Sequence, residues 1–184
     1  LGRKGAETLA KNAEEREGIF RRVRENVHTL PLIAHSLMIS QFRVCLMLAL
    51  KQQGDIKLTR WVQGNDLKSA LSRRGANPPL VADAFFVLET PTHKYPCFLE
   101  ADRATMTQER FVSKLKMYWR HNREESFKET LGVSHFRVLT ITPHEKRAEN
   151  LCHAAKDADD RREGSLMYLF LSETRYNVET PEAL

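Results

Sequence analysis

Glu100 and Asp102 stand two residues apart at the end of a segment rich in strand formers, residues 95–102 (YPCFLEAD). A strand's period of two puts both carboxylates on one face, with their Cα atoms roughly 6–7 Å apart. Asp83 opens a preceding segment of the same kind, residues 83–89 (DAFFVLE), and residues 90–94 between the two suit a hairpin turn. Pairing the segments gathers three carboxylates at one edge of a sheet. Such a group repels itself at neutral pH unless a cation or protons compensate, and oxygen donors of this type suit magnesium or manganese. The ordinary alternative is a set of strand-end carboxylates paired with Arg103 or Lys94.

Lys114 follows on the next helical segment. A lysine near such a cluster could orient an attacking water or stabilise charge developing on a phosphate; alone, it reads as a solvated helix lysine. Arg103, Arg110, Lys116 and Arg120 flank the same region and are suited to gripping neighbouring phosphates. Covalent catalysis by tyrosine would call for a base and a closely spaced histidine group. His28, His35, His93, His121, His135, His144 and His153 are instead scattered, with His93 and His121 read as surface residues. Tyr118 has the spacing of a core residue, and Tyr95 is ambiguous. Cys45, Cys97 and Cys152 are far apart and make no zinc spacing or CxxC pair, which fits reduced thiols in a cytoplasmic protein.

The elements that must position these residues alternate. Residues 1–30 mix both signs of charge and read as a solvated helix that Pro31 ends. Residues 34–53 carry Leu37, Met38, Phe42, Cys45, Leu46, Ala49 and Leu50 at three- and four-residue spacing, predicting a largely buried helix stopped by Gly54. A strand is expected over 56–62, a short helix over 66–73, and a loop at Gly75, Asn77, Pro78 and Pro79. After the hairpin comes a helix over 107–121 with Thr107 as its N-cap. A strand over 135–142, a helix from Pro143 to about 158 and a last strand over 165–171 complete the order. Residues 172–184 show no periodicity. The pattern predicts an α/β fold: a mixed central sheet flanked by helices, with an N-terminal helical arm.

The chain has 184 residues, 41% of them hydrophobic and 29% charged, enough for one domain with a real core rather than a disordered chain. A net charge of +5 favours a polyanionic partner. No apolar run of about 20 residues and no secretory signal is evident, so no membrane segment is expected. The opening Leu1-Gly2-Arg3-Lys4-Gly5 reads as if cut from something longer.

Asp83, then Glu100-x-Asp102, then a lysine, on a strand–strand–helix unit, resembles the PD-(D/E)XK nuclease pattern. The wider string VADAFFVLE…YPCFLEADRATM…RFVSKLKMYW…FRVLTITPHEKRAENL resembles the replication-relaxation family of plasmid proteins, and within it the MobC-type relaxases of mobilisable plasmids, over roughly residues 1–171. The resemblance implies a restriction-endonuclease-like core in residues 34–171, a tail in 172–184, and in 1–33 a helical linker, opened by LGRKGAETLA, after an N-terminal winged helix. It implies a relaxase that binds a plasmid origin of transfer and nicks one strand with Mg2+ or Mn2+, working with mobilisation accessory and coupling proteins. Asp83 and Glu100 would hold the ion, Asp102 would be a third ligand or orient water, and Lys114 would steady the water or the developing charge. The chain departs from the nuclease pattern at Ala82, where proline is expected, at Asp102, where many active members carry lysine, and at Gln63, where related sequences often carry glutamate. The alternative is a non-catalytic DNA-binding accessory protein of plasmid replication or relaxation.

Overall fold

The computed structural model describes residues 13–72, 80–158, 166–179 and 181, with side chains in the first helix from Pro31 onward. Residues 1–12 of the expected 1–33 linker and the loop at Gly75, Asn77, Pro78 and Pro79 lie outside the described residues. The chain forms two compact units, Leu1–Met38 and Ile39–Leu184.

Helix α1 runs Ala13–Gln53, with Pro31 inside it. The expectation that Pro31 ends a first helix is therefore corrected. A proline in a helix removes one backbone hydrogen bond and crowds the preceding turn, and here the helix continues through that gap. In the second unit one stripe of α1 is buried: Phe42, Cys45, Leu46 and Ala49. Val44, Met47 and Leu48 on the other side are exposed, so the helix is half-buried rather than largely buried. The segment Pro31–Gln53 also has the length and apolarity to cross a membrane, with an 18-residue window of mean hydropathy 1.6, contrary to the expectation that no run would reach that length. Within the second unit, Phe42, Cys45, Leu46 and Ala49 of this segment are buried, while 28% of its apolar window is buried in all. Gly54, at φ +73°, ends α1 with its N–H on the Leu50 carbonyl (3.2 Å).

Five strands form one sheet in the order β1-β2-β3-β4-β5. They are β1 Lys57–Gln63, β2 Ala84–Glu89, β3 Lys94–Ala101, β4 Arg137–Thr142 and β5 Tyr168–Ser172. The first three pair antiparallel, and β3–β4 and β4–β5 pair parallel. Helix α2, Gly64–Leu71, follows β1. Helix α3, Gln108–Arg123, joins β3 to β4, and α4, Glu145–Ala158, joins β4 to β5. Parallel neighbours need such long crossovers, whereas the β2–β3 hairpin closes with a turn in which Thr90 N–H bonds the His93 carbonyl (2.9 Å). The expected mixed α/β sheet flanked by helices is thus observed, with each strand within a few residues of its predicted place.

The sheet is covered on both faces, and β2 is buried over its first four residues, as a central strand's apolar run requires. On the α1 face, Phe42 meets Phe86 (centroids 6.1 Å) and Tyr176 (5.8 Å). Tyr176 is buried, so the segment expected as a tail packs against the domain after a turn of 3-10 helix at Glu173–Arg175. On the other face, Phe98 is ringed by Phe85, Tyr118, Phe127 and Phe136 at 4.7–5.5 Å. Helix α3 presses Phe111, Leu115 and Tyr118 onto this face, and Tyr168 on β5 anchors it by donating to the Leu115 carbonyl (2.8 Å). Thr107 caps α3, accepting from Arg110 N–H (3.4 Å) as its position implied.

Candidate functional site

Glu100 occupies the last full turn of the pleat in β3, on the face that carries Phe98, and so points toward α3. Lys114 and Tyr118 are four residues apart on α3 and share one helix face. Both reach Glu100. Lys114 Nζ donates to Oε2 at 2.5 Å, and the Tyr118 hydroxyl donates to Oε1. The side chains of Glu100 and Lys114 are only 7% and 17% exposed, so water screens this pair little. Lys114 is therefore not the solvated lysine of the ordinary reading. Tyr118 is fully buried in the core, as its spacing implied, yet its hydroxyl serves the site.

Asp83 precedes β2 and sits beside the end of β3. Its N–H bonds the Leu99 carbonyl (3.1 Å), extending the hairpin ladder, and its Oδ2 accepts from Ala101 N–H at 2.7 Å. These bonds hold the Asp83 carboxylate near enough to Glu100 for its charge to be felt there. The Glu100 carboxyl is pushed up to about 7. Burial is the main cause; Asp83 adds to it, and Lys114 and Tyr118 oppose it. An ion pair of good geometry would ordinarily favour the charged carboxylate, but here the loss of hydration outweighs it. The Tyr118 hydroxyl is raised well above its ordinary value by burial and by the Glu100 charge, so it remains a hydrogen-bond donor.

Asp102 is placed differently. It lies just past β3, its N–H on the Ile141 carbonyl (2.9 Å), and its Oδ2 accepts from Arg147 Nε at 2.6 Å. Arg147 also donates to the Met106 carbonyl (2.7 Å), tying α4 to the turn that leads into α3. That turn contains Ala104 at φ 59°. The alternative in which a strand-end carboxylate is claimed by an arginine is realised for Asp102, but by Arg147 rather than Arg103. Among the described residues no group of three or more His, Cys, Asp and Glu is arranged to hold a metal ion. Of the three carboxylates expected to converge, Asp102 is paired with Arg147 and Glu100 with Lys114, and the charge of Asp83 acts on Glu100.

Of the cations expected to grip phosphates, Arg103 and Arg110 are exposed at the same end of the sheet. Arg110 lies one turn before Lys114 on its helix row. Lys116 and Arg120 are also exposed, but helical rotation of roughly 100° per residue puts them on the far side of α3 from Lys114. Gln63 accepts from Trp61 Nε1 (2.7 Å) and lies opposite Ala84 in the ladder, next to Asp83. Arg147 was missed by sequence reasoning. A signal for it exists: it stands four residues before Leu151 and eight before Ala155, both buried on the α4 face that packs against α3.

The arrangement offers two carboxylates with oxygen donors, one buried cation and one phenol, at the end of the central strands β2 and β3, with exposed Arg103 and Arg110 at the same end of the sheet. Magnesium is commonly held by one or two carboxylates, with waters and substrate phosphates completing its shell. Asp83 and Glu100 supply two carboxylates of that kind, with Lys114 Nζ on the Glu100 Oε2.

No curated protein and no solved structure matches this chain significantly. A family model described as replication-relaxation matches residues 1–138, three quarters of the chain and all of Asp83, Glu100, Asp102, Lys114 and Tyr118, and the chain therefore belongs to the replication-relaxation family.

Proposed function

We propose that this protein is a plasmid mobilisation relaxase of the MobC type, which binds an origin of transfer and nicks one DNA strand by divalent-metal-dependent phosphodiester cleavage. The observation that carries this reading is the capture of Glu100 by Lys114 beside Asp83, at the edge of an antiparallel meander followed by a helix and a parallel strand. That order supports a restriction-endonuclease-like core in which the lysine of the usual strand motif, replaced by Asp102, is supplied from the helix by Lys114.

Asp83 and Glu100 would hold one Mg2+ or Mn2+. When bound, such an ion neutralises the scissile phosphate and lowers the pKa of a water at the site. Tyr118 fixes one Glu100 oxygen and so aims the other. Lys114 brings a positive charge to within reach of the reacting phosphate and can orient the incoming water. The Arg147–Asp102 pair braces the turn between β3 and α3. Arg103 and Arg110 neutralise flanking phosphates. Tyr118, fully buried, is not placed to attack DNA, so cleavage by water is favoured over a covalent tyrosine adduct.

The test is nicking of supercoiled plasmid carrying the cognate origin. Asp83→Ala and Glu100→Ala are expected to abolish Mg2+- or Mn2+-dependent nicking while DNA binding survives; unchanged nicking in both variants overturns the assignment. A second reading, a DNA-binding accessory protein without catalysis, is favoured by the Asp102–Arg147 pair, which withdraws one potential ligand. Tight origin binding by the wild type, with no nicking in either metal, would establish that reading instead.

A further inference from the structure

Thr140 lies on β4 directly beside Glu100: the two are register partners in the parallel β3–β4 ladder. Both face the α3 side of the sheet, since Val138, two residues earlier on β4, belongs with Phe98 and Tyr118 to the core on that face. Thr140 is 1% exposed, and its hydroxyl has no hydrogen-bond partner among the described residues. Two residues on, Thr142 is equally buried, but its hydroxyl donates to the His144 carbonyl at 3.1 Å. The contrast matters because a buried hydroxyl without a partner is costly, and valine has the same shape without that cost.

The Glu100 carboxylate has one donor on each oxygen, Lys114 and Tyr118. A carboxylate offers about four lone-pair sites, so it can take a third donor. If Glu100 turns one oxygen from Lys114 toward a cation, its remaining hydrogen bonds decide how firmly that oxygen is aimed. Partners of this outer kind fix the orientation of ligands and their basicity.

We propose that Thr140 is a positioning residue for the metal site, its hydroxyl donating to the Glu100 carboxylate when that side chain swings from Lys114 to hold a divalent cation. The inference rests on the proposed metal site and adds to it a residue from a neighbouring strand.

The test uses the full chain without DNA and Mn2+ as the probe, with affinity measured by titration calorimetry and stability by thermal unfolding in EDTA. Thr140→Val is expected to match or exceed the wild type in thermal stability without metal, yet to bind Mn2+ more weakly by on the order of tenfold. Thr140→Ser, which keeps the hydroxyl, is expected to bind within about twofold of the wild type. Wild-type Mn2+ affinity in Thr140→Val overturns the proposal, as does equal weakening in the serine and valine variants. A loss of stability in EDTA that accompanies the loss of affinity also overturns it, because that is what a packing role gives. Glu100→Gln separates the two levels of inference. If it binds Mn2+ as the wild type does, or if the wild type binds none, the metal site itself fails and Thr140 with it.

Discussion

Arg147 holds Asp102 at 2.6 Å across 45 residues of sequence, and with the same guanidinium reaches the Met106 carbonyl. The Arg147 and Asp102 side chains are 18% and 4% exposed, so the pair is largely shielded from water. Removing one partner of a buried pair strands the other charge, typically at a cost of about 3–5 kcal/mol. Arg147→Met is therefore expected to lower stability by that order in urea unfolding, and Asp102→Asn in the same background to recover part of the loss. Asp102→Asn alone should leave Mn2+ affinity close to that of the wild type. A large loss of Mn2+ affinity in that variant would return Asp102 to the ligand set.

Lys114→Met removes the cation that offsets Glu100 and Asp83. Nicking is expected to fall by about 100-fold or more, the scale seen when one preorganised stabilising group is lost. The Glu100 carboxyl should rise further, because burial and Asp83 then act without opposition from Lys114. Wild-type nicking in this variant would reduce Lys114 to a structural partner of Glu100.

Tyr118→Phe separates hydrolysis from tyrosine chemistry. The phenol donates to Glu100 from within the core, and loss of a hydrogen bond to a charged group costs about 1.5–3 kcal/mol. Stability should fall by that order, while nicking continues at a reduced rate and wild-type product carries no protein adduct. Complete loss of nicking, together with a covalent protein–DNA species in the wild type, would make Tyr118 the nucleophile.

Glu100 sets a pH dependence. Its carboxyl is pushed up to about 7 in the folded protein, from an ordinary 4.5, chiefly by burial. The folded state then binds more protons than the unfolded state between those values. The stability this gives is fully present below about 4.5 and is lost as pH rises through about 7. In metal-free buffer, unfolding free energy should fall across this window, and Glu100→Gln should flatten the slope. An identical slope in both proteins would place the titration elsewhere.

The sheet and the candidate site were legible to different degrees. The hairpin could be read because DAFFVLE and YPCFLEAD carry β-formers on both sides of a short polar turn, and the α3 cap because Thr107 stands just before an apolar stripe. Glu100 and Lys114 were brought together as the motif implied, since a strand end followed by a crossover helix leaves few other placements. Asp102 could not be assigned from spacing alone. Period two puts it on the Glu100 face, but β3 ends at Ala101 and the following turn hands Asp102 to α4. The partner is distant in sequence, so no local pattern announces it. Pro31 likewise failed as a stop signal: α1 runs on past it to Gln53, roughly six more turns at 3.6 residues each. Tyr176 lies outside any periodic segment, and only the tertiary fold shows that it is buried against Phe42.

The most direct test of the account is a crystal grown with Mn2+ and examined by anomalous scattering. One manganese peak is expected at coordination distance from carboxylate oxygens of both Asp83 and Glu100, with Lys114 Nζ displaced from Oε2 and Asp102 still on Arg147. A structure at saturating Mn2+ with no peak there, and Lys114 still seated on Glu100, would contradict it.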